Sequence, residues 1–311
     1  MLGNKFKGYL LGALAAIAYG TNPAFAVPLY ENGMNPNTVL LFRYILGIPI
    51  LAILMKIRGI SFGLPKDAIG HTFILGILMA LSSLTLFESY NYMNAGVAST
   101  LLFVYPVMVA VIMVFFFHEK IKNSLYICLV LMLAGLVLLM KPEEGFAVST
   151  MGCLLVILSA ISYALYIVLV NVSKKVNTIP TTKLLFYVLT WGSLLFWIMI
   201  PCGAAFTPPT EGIDWINLTA LAVIPTIISL ACTTRAIQLI GSTPTAILGA
   251  LEPVTAVILS VVILHQGLSF IESIGALFIL IAATIVVSDT AIDKAMLHIR
   301  KMFPKHHREN L

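Results

Sequence analysis

Four ionisable residues interrupt long apolar runs of this 311-residue chain: Arg43 in NTVLLFRYILGIPILAIL, Glu88 in LSSLTLFESYNY, Arg235 in IISLACTTRAIQLI and Glu252 in ILGALEPVTAVIL. A charge held in hydrocarbon costs several kcal/mol on insertion scales, so each is a candidate for function. Their chemistry is to pair with one another, to hold a charged solute or, for a carboxylate, to carry a proton. At a rise of about 1.5 Å per residue, Arg43 lies roughly 10 Å and Glu88 roughly 6 Å from the same end of their segments, which predicts a pair. Arg235 is expected to reach toward Glu252, unless its long side chain snorkels to the interface instead. All four are ion-pair candidates. Polar aromatics accompany them: Tyr19 with Asn22, Tyr44 beside Arg43, Tyr92 near Glu88, then Tyr105, Tyr163, Tyr166 and Trp191. The substrate-cavity candidates are Tyr19, Asn22, Arg43, Glu88, Tyr105, Trp191 and Glu252. Glu252 gains from a polar and small stripe, Thr245, Gly249, Glu252 and Thr255, at helical spacing.

Chemistry of other kinds finds no constellation. His118-Glu119 opens like a zinc protease motif, but Lys122 stands where the second histidine should be, and His265 is alone. No nucleophile sits with a base, no Walker motif is present, and Cys128, Cys153, Cys202 and Cys232 lack paired metal spacing. The reading is therefore no catalytic residues, no metal and no cofactor, with the cysteines as small core residues and a Cys153–Cys202 disulfide as the remaining option.

The elements that must position these residues follow from composition. With 60% hydrophobic and 10% charged residues, this is a polytopic membrane protein. Ten windows long enough to cross about 30 Å of hydrocarbon as helix fall near 8–29, 36–56, 71–92, 97–117, 123–140, 151–171, 183–205, 216–238, 243–264 and 270–288. Alternate connections carry 15 basic residues, from Lys5 and Lys7 to the tail's Arg308, and the opposite set carries only Lys141. Basic residues are held in the cytoplasm, so both termini are expected there. The net charge of +5 is scattered over five loops and does not indicate nucleic acid. A cleaved secretory signal at Ala24-Phe-Ala26 is disfavoured by the length of the first run and by Gly20-Thr-Asn22-Pro23 within it.

The chain is also duplicated. Leu102-Phe-Val-Tyr105-Pro106 running to His118-Glu119 matches Gly249-Ala-Leu-Glu252-Pro253 running to His265-Gln266 at a constant offset of 147 residues. Five spans per half turn the second half upside down relative to the first, the architecture of transporters. The expected divisions are a first five-helix repeat at 1–141, an external linker at 142–150, a second repeat at 151–289 and a basic cytoplasmic tail at 290–311. Pro106 and Pro253, symmetry mates inside spans, are hinge candidates, because a proline within a helix removes a hydrogen bond and kinks it. Gly8, Gly12, Ala16 and Gly20, four apart, read as a close packing face, as do Ala134-Gly135 and Ala282-Ala283.

These residues carry a resemblance. Leu41-Phe-Arg43-Tyr in the second span, Pro106 and His118-Glu119 in the fourth, Glu252-Pro253 in the ninth, and the small-residue-bearing fifth and tenth spans resemble the drug/metabolite transporter superfamily, in its EamA branch of ten-helix permeases. The resemblance covers almost the whole chain. It implies an all-α membrane protein of two inverted five-helix repeats around a central cavity, similar to exporters of amino acids and other small metabolites. Tyr105 stands where the second repeat has Glu252, and Gln266 where the first has Glu119, so a carboxylate role does not transfer to both halves.

The expectation is a secondary transporter of a small polar metabolite, with export favoured, working by alternating access in the cytoplasmic membrane. Its partners are a small-molecule substrate and the bilayer. Proton coupling and pairing of two copies as a homodimer stay open. A carrier of phosphorylated sugars or nucleotides is the alternative and would want several Lys or Arg in the cavity; an intramembrane enzyme is the remote one.

Overall fold

In lipid the backbone must satisfy its own hydrogen bonds, and apolar runs bounded by Pro, Gly and Asn do so as helices. The computed structural model describes residues 2–89, 92, 98, 101–119, 123–139, 149–201, 206–264, 270, 271 and 273–286, and no strand occurs among them. The expected tail, Lys141, most of the linker, Cys202 and the His265-Gln266 pair lie outside the described residues.

The first apolar stretch is α1 (Leu2–Gly20) and α2 (Asn22–Glu31), separated at Thr21, whose hydroxyl donates to Ala18 O at 2.7 Å. Then come α3 (Pro36–Ile57), α4 (Lys66–Ser89), α5 (Tyr105–Phe117), α6 (Asn123–Leu139), α7 (Thr150–Val172), the single turn α8 (Lys174–Asn177) and α9 (Thr181–Met199). Next, α10 (Gly212–Leu221) and α11 (Ser229–Ile240) are joined by a π-helical stretch, Ala222–Ile228. The described part ends with α12 (Ser242–Leu248), α13 (Leu251–Leu264) and the apolar helix α14 (Ser273–Val286). Six of the helical stretches, two of them built from joined helices, are long and apolar enough to cross a membrane. Exposed Phe6, Ile57, Phe115, Phe116 and Trp197 suit contact with lipid tails.

Helix interruptions account for two of the prolines and correct one expectation, while Pro28 and Pro49 lie inside α2 and α3. Pro106 and Pro253 do not kink helix interiors. The chain leaves helix at 103–104 and at 249–250, and each proline sits in the first turn of the helix that follows. A missing N–H costs nothing there, because first-turn amides have no intrahelical acceptor. The prolines keep the 147-residue offset, and the breaks before them fall within one residue of it. Pro225 does lie inside a helical stretch, and the π geometry around it relieves the clash its ring would make with the preceding turn.

Small residues govern the packing. A Cβ on Gly8 would meet Ile240 at 2.6 Å, one on Gly12 would meet Leu248 at 2.7 Å, and one on Gly20 would meet Glu252 O at 2.7 Å. This face lets α1 lie directly on α11, α12 and α13. Gly135 of α6 rests on Gly275 O of α14, and Gly76 of α4 on Val188 O of α9. In turn α4 packs on α7 and α9, α3 on α9 and the π stretch, and α5 on α7 and α12.

Each end of the bundle carries a polar clamp between the halves. At one end, buried Asp214 accepts from Asn32 Nδ2 at 2.9 Å and from the backbone N–H groups of Thr210 and Glu211 at 3.1 and 3.0 Å. Beside it, Asn35 N donates to Thr207 Oγ1 and Thr207 N to Thr38 Oγ1. At the opposite end, Lys183 Nζ donates to Gly63 O at 2.8 Å, Tyr187 OH donates to Phe62 O, and exposed Asp67 and Lys175 stand 3.6 Å apart.

Candidate functional site

The interruptions of α1–α2, α12–α13 and the π stretch place polar groups beside one another in the interior. Arg43 of α3 is 3% exposed, so every donor it leaves unpaired is costly. Its Nε donates to Thr226 Oγ1 and its Nη2 to Pro225 O at 3.1 Å. Thr226 Oγ1 passes its own proton to Leu221 O at 2.7 Å. The π stretch thus offers acceptors that a regular helix would keep for itself. The guanidinium carbon also lies 5.5 Å from the centroid of the Tyr19 ring, a cation–π distance.

Tyr19 meets Arg43 on one ring face, and its neighbour Gly20 rests on the backbone carbonyl of Glu252. Glu252, in the first turn of α13, interacts electrostatically with Tyr105 and Tyr163. Tyr105 is buried and its ring meets Tyr163 edge-on at 4.7 Å; Tyr163 in turn stacks on Tyr166 at 6.2 Å with planes 6° apart. The Tyr105 hydroxyl donates to Ala246 O at 3.4 Å, on the carbonyl side of the 249–250 break. Asn22 opens α2, two residues beyond the Gly20 contact with Glu252, and its Oδ1 is buried without a hydrogen bond. The result is a buried row of aromatic rings with Arg43 against Tyr19 and Glu252 opening α13 beside Gly20.

Five candidates therefore share one region: Tyr19, Asn22, Arg43, Tyr105 and Glu252. Trp191 stands apart. It packs at the α4–α9 seam, with its ring 5.7 Å from Phe73 and its Cβ against Gly76. Glu88 lies near the end of α4, one residue from Phe87, which meets Tyr30 of α2.

Among the described residues, Arg43 and Arg235 hydrogen-bond to groups other than the expected carboxylates. Ser83 of α4 lies beside Tyr44, and Glu88 is five residues further on, roughly 7.5 Å nearer the helix end, while Arg43 turns to Thr226 and Pro225. Arg235 donates instead to Gln238 Oε1 at 2.9 Å and is exposed. Its neighbour Ala236 is level with Gly12, whereas Glu252 is level with Gly20, so about 12 Å of helix separates them. Thr226 was the member of the site that sequence reasoning missed. Its signal was Pro225-Thr226, an interior proline followed by a hydroxyl.

Comparison with known proteins agrees with this architecture. The EamA-like transporter family matches residues 6–141 and again 150–288. The uncharacterized transporter YvbV of Bacillus subtilis is 25% identical over 94% of this chain and 95% of its own length. The uncharacterized transporter sll1319 of Synechocystis is 25% identical over 76% of this chain and 75% of its own. A solved crystal structure at 18% identity superposes with a TM-score of 0.76, covering 95% of this chain and 98% of that one, which establishes likeness of fold. With the family matched twice along its length, the chain belongs to the EamA-like transporter family: a multi-pass membrane transporter, and not an enzyme.

Proposed function

We propose that this protein exports a zwitterionic metabolite of the amino acid class across the cytoplasmic membrane by alternating access. The carrying observation is that buried Arg43 lies over the Tyr19 ring while Glu252 opens α13 against the adjacent Gly20. A carboxylate is met by a planar, bidentate-capable guanidinium and an ammonium by Glu252, with Tyr105 and Tyr163 as the apolar wall between. Glu252 is also the carboxylate placed to couple flux to protons. A phosphorylated sugar would want both arginines together, and Arg235 is far from Arg43's partners.

The ten-span, inverted-repeat reading has support in the contacts. Under the 147-residue offset α1 corresponds to α7, α4 to α10–α11, and α5 to α13. The contact of α1 with α11 then repeats as α4 with α7, and α1 with α13 as α7 with α5. Asp67 and Asp214 are mates under the same offset, each at the start of its helix and each bridging to the other half. Such paired clamps suit a machine that opens one end at a time. The basic-residue bias assigns the Asp67 end and both termini to the cytoplasm.

The test is uptake by purified protein in liposomes, across a panel of amino acids, amines, carboxylates and sugar phosphates, with and without a pH gradient. Amino acids should move and exchange. Transport confined to sugar phosphates would overturn the reading.

A further inference from the structure

At the Asp67 end, the last turns of α7 and α11 and the α8 turn flank an open pocket of about 260 Å³ lined by Asn171, Asn177, Arg235 and Gln238. Its side chains are held in order. Gln238 fixes one guanidinium nitrogen, Asn171 Nδ2 donates to Ser242 Oγ at 3.2 Å, and Asn177 Nδ2 donates to Asn171 O at 3.1 Å. Arg235 has further N–H donors beyond the one given to Gln238, and among the described residues no carboxylate lines the pocket with it. A cation with spare planar donors, amides around it and no acid beside it selects an oxyanion.

Buried hydroxyls adjoin Arg235 on the interior side of its helix. Thr234 precedes Arg235 and lies beside Tyr166, and the hydroxyls of both are buried without a hydrogen bond. From Tyr166 the stacked rings of Tyr163 and Tyr105 continue to Glu252.

We infer that Arg235, with Asn171, Asn177 and Gln238, forms a capture site at the inner mouth that binds the oxyanion of the outgoing substrate before it reaches the region of Arg43 and Glu252. This rests on the export reading for its direction, but the site's existence is testable without transport.

The experiment follows phenylglyoxal modification of Arg235 by peptide mass spectrometry, in nanodiscs of phosphatidylcholine alone. Acetate and inorganic phosphate at 20 mM, against chloride at matched ionic strength, should each slow modification of Arg235 at least threefold. A parallel set of nanodiscs contains phosphatidylglycerol and no added oxyanion. Protection only in that set would overturn the inference and leave a lipid headgroup contact, and no protection anywhere would overturn it outright. Protection by both anions with no amino acid transported would uphold the site and sink the amino acid reading instead. In liposomes, Arg235→Gln should raise KM for an exported amino acid about tenfold with kcat within about twofold, and Arg235→Lys should recover part of the loss. An unchanged KM in Arg235→Gln would also overturn it.

Discussion

Arg43 is held by one side chain and one carbonyl, so removing the side chain isolates what that hold contributes. Thr226→Val keeps the volume and branching of the residue while deleting the acceptor for Arg43 Nε and the donor to Leu221 O. A hydrogen bond to a charged group contributes about 1.5–3 kcal/mol, and here the abandoned guanidinium N–H belongs to a side chain only 3% exposed. The remaining bond to Pro225 O and the Tyr19 face keep Arg43 from losing all support. At about 2–4 °C per kcal/mol for a large domain, the midpoint of thermal unfolding in detergent should fall by roughly 3–12 °C. Arg43→Met lowers it independently, and in the double variant the coupling should return: the loss should be smaller than the sum by about 1.5–3 kcal/mol. Additive losses would refute the account of how the π stretch seats the arginine.

Further expectations concern packing, clamps and topology. Gly20→Leu should cost more than about 1–3 kcal/mol, because its Cβ would press on the Glu252 carbonyl, a backbone atom that cannot swing aside; Gly63→Ala, with open space around it, should leave thermal stability unchanged. Asp214→Ala should lower stability by about 2–4 kcal/mol through the loss of three accepted hydrogen bonds, whereas its exposed mate Asp67→Ala should cost under about 1 kcal/mol; equal losses would contradict the difference between the two clamps. Reporters fused to Met1 and Leu311 should both be cytoplasmic, and an external location for either would overturn the inverted arrangement.

Much of the scaffold was legible because membrane helices announce themselves by composition. The windows around 36–56, 151–171 and 216–238 lie within the helical stretches at Pro36–Ile57, Thr150–Val172 and Gly212–Ile240. The four-residue spacing of Gly8, Gly12 and Gly20 foretold the face on which α1 packs, since only small residues admit backbone contact. What the sequence could not convey was relative height. Pairing Arg43 with Glu88 and Arg235 with Glu252 rested on depth counted along isolated helices, and a few residues of sliding between neighbours changes every partner. Thr226 was hidden for a related reason, because a lone hydroxyl in an apolar span gains meaning only once Pro225 opens the helix beside a buried cation. Pro106 and Pro253 were found at the right positions but assigned to interiors, since a proline looks alike from sequence whether it bends a helix or begins one.

The central claim is that Arg43 and Glu252 read the two charges of one substrate. The most direct measurement is counterflow in liposomes loaded with the best-transported amino acid, with competition by that amino acid, its deaminated acid and its decarboxylated amine, for wild type and Glu252→Gln. Wild type should favour the zwitterion over the deaminated acid by at least about tenfold, the magnitude of one charge-assisted contact. Glu252→Gln should erase that preference while still binding the acid through Arg43. A preference unchanged by Glu252→Gln at matched insertion would contradict the account.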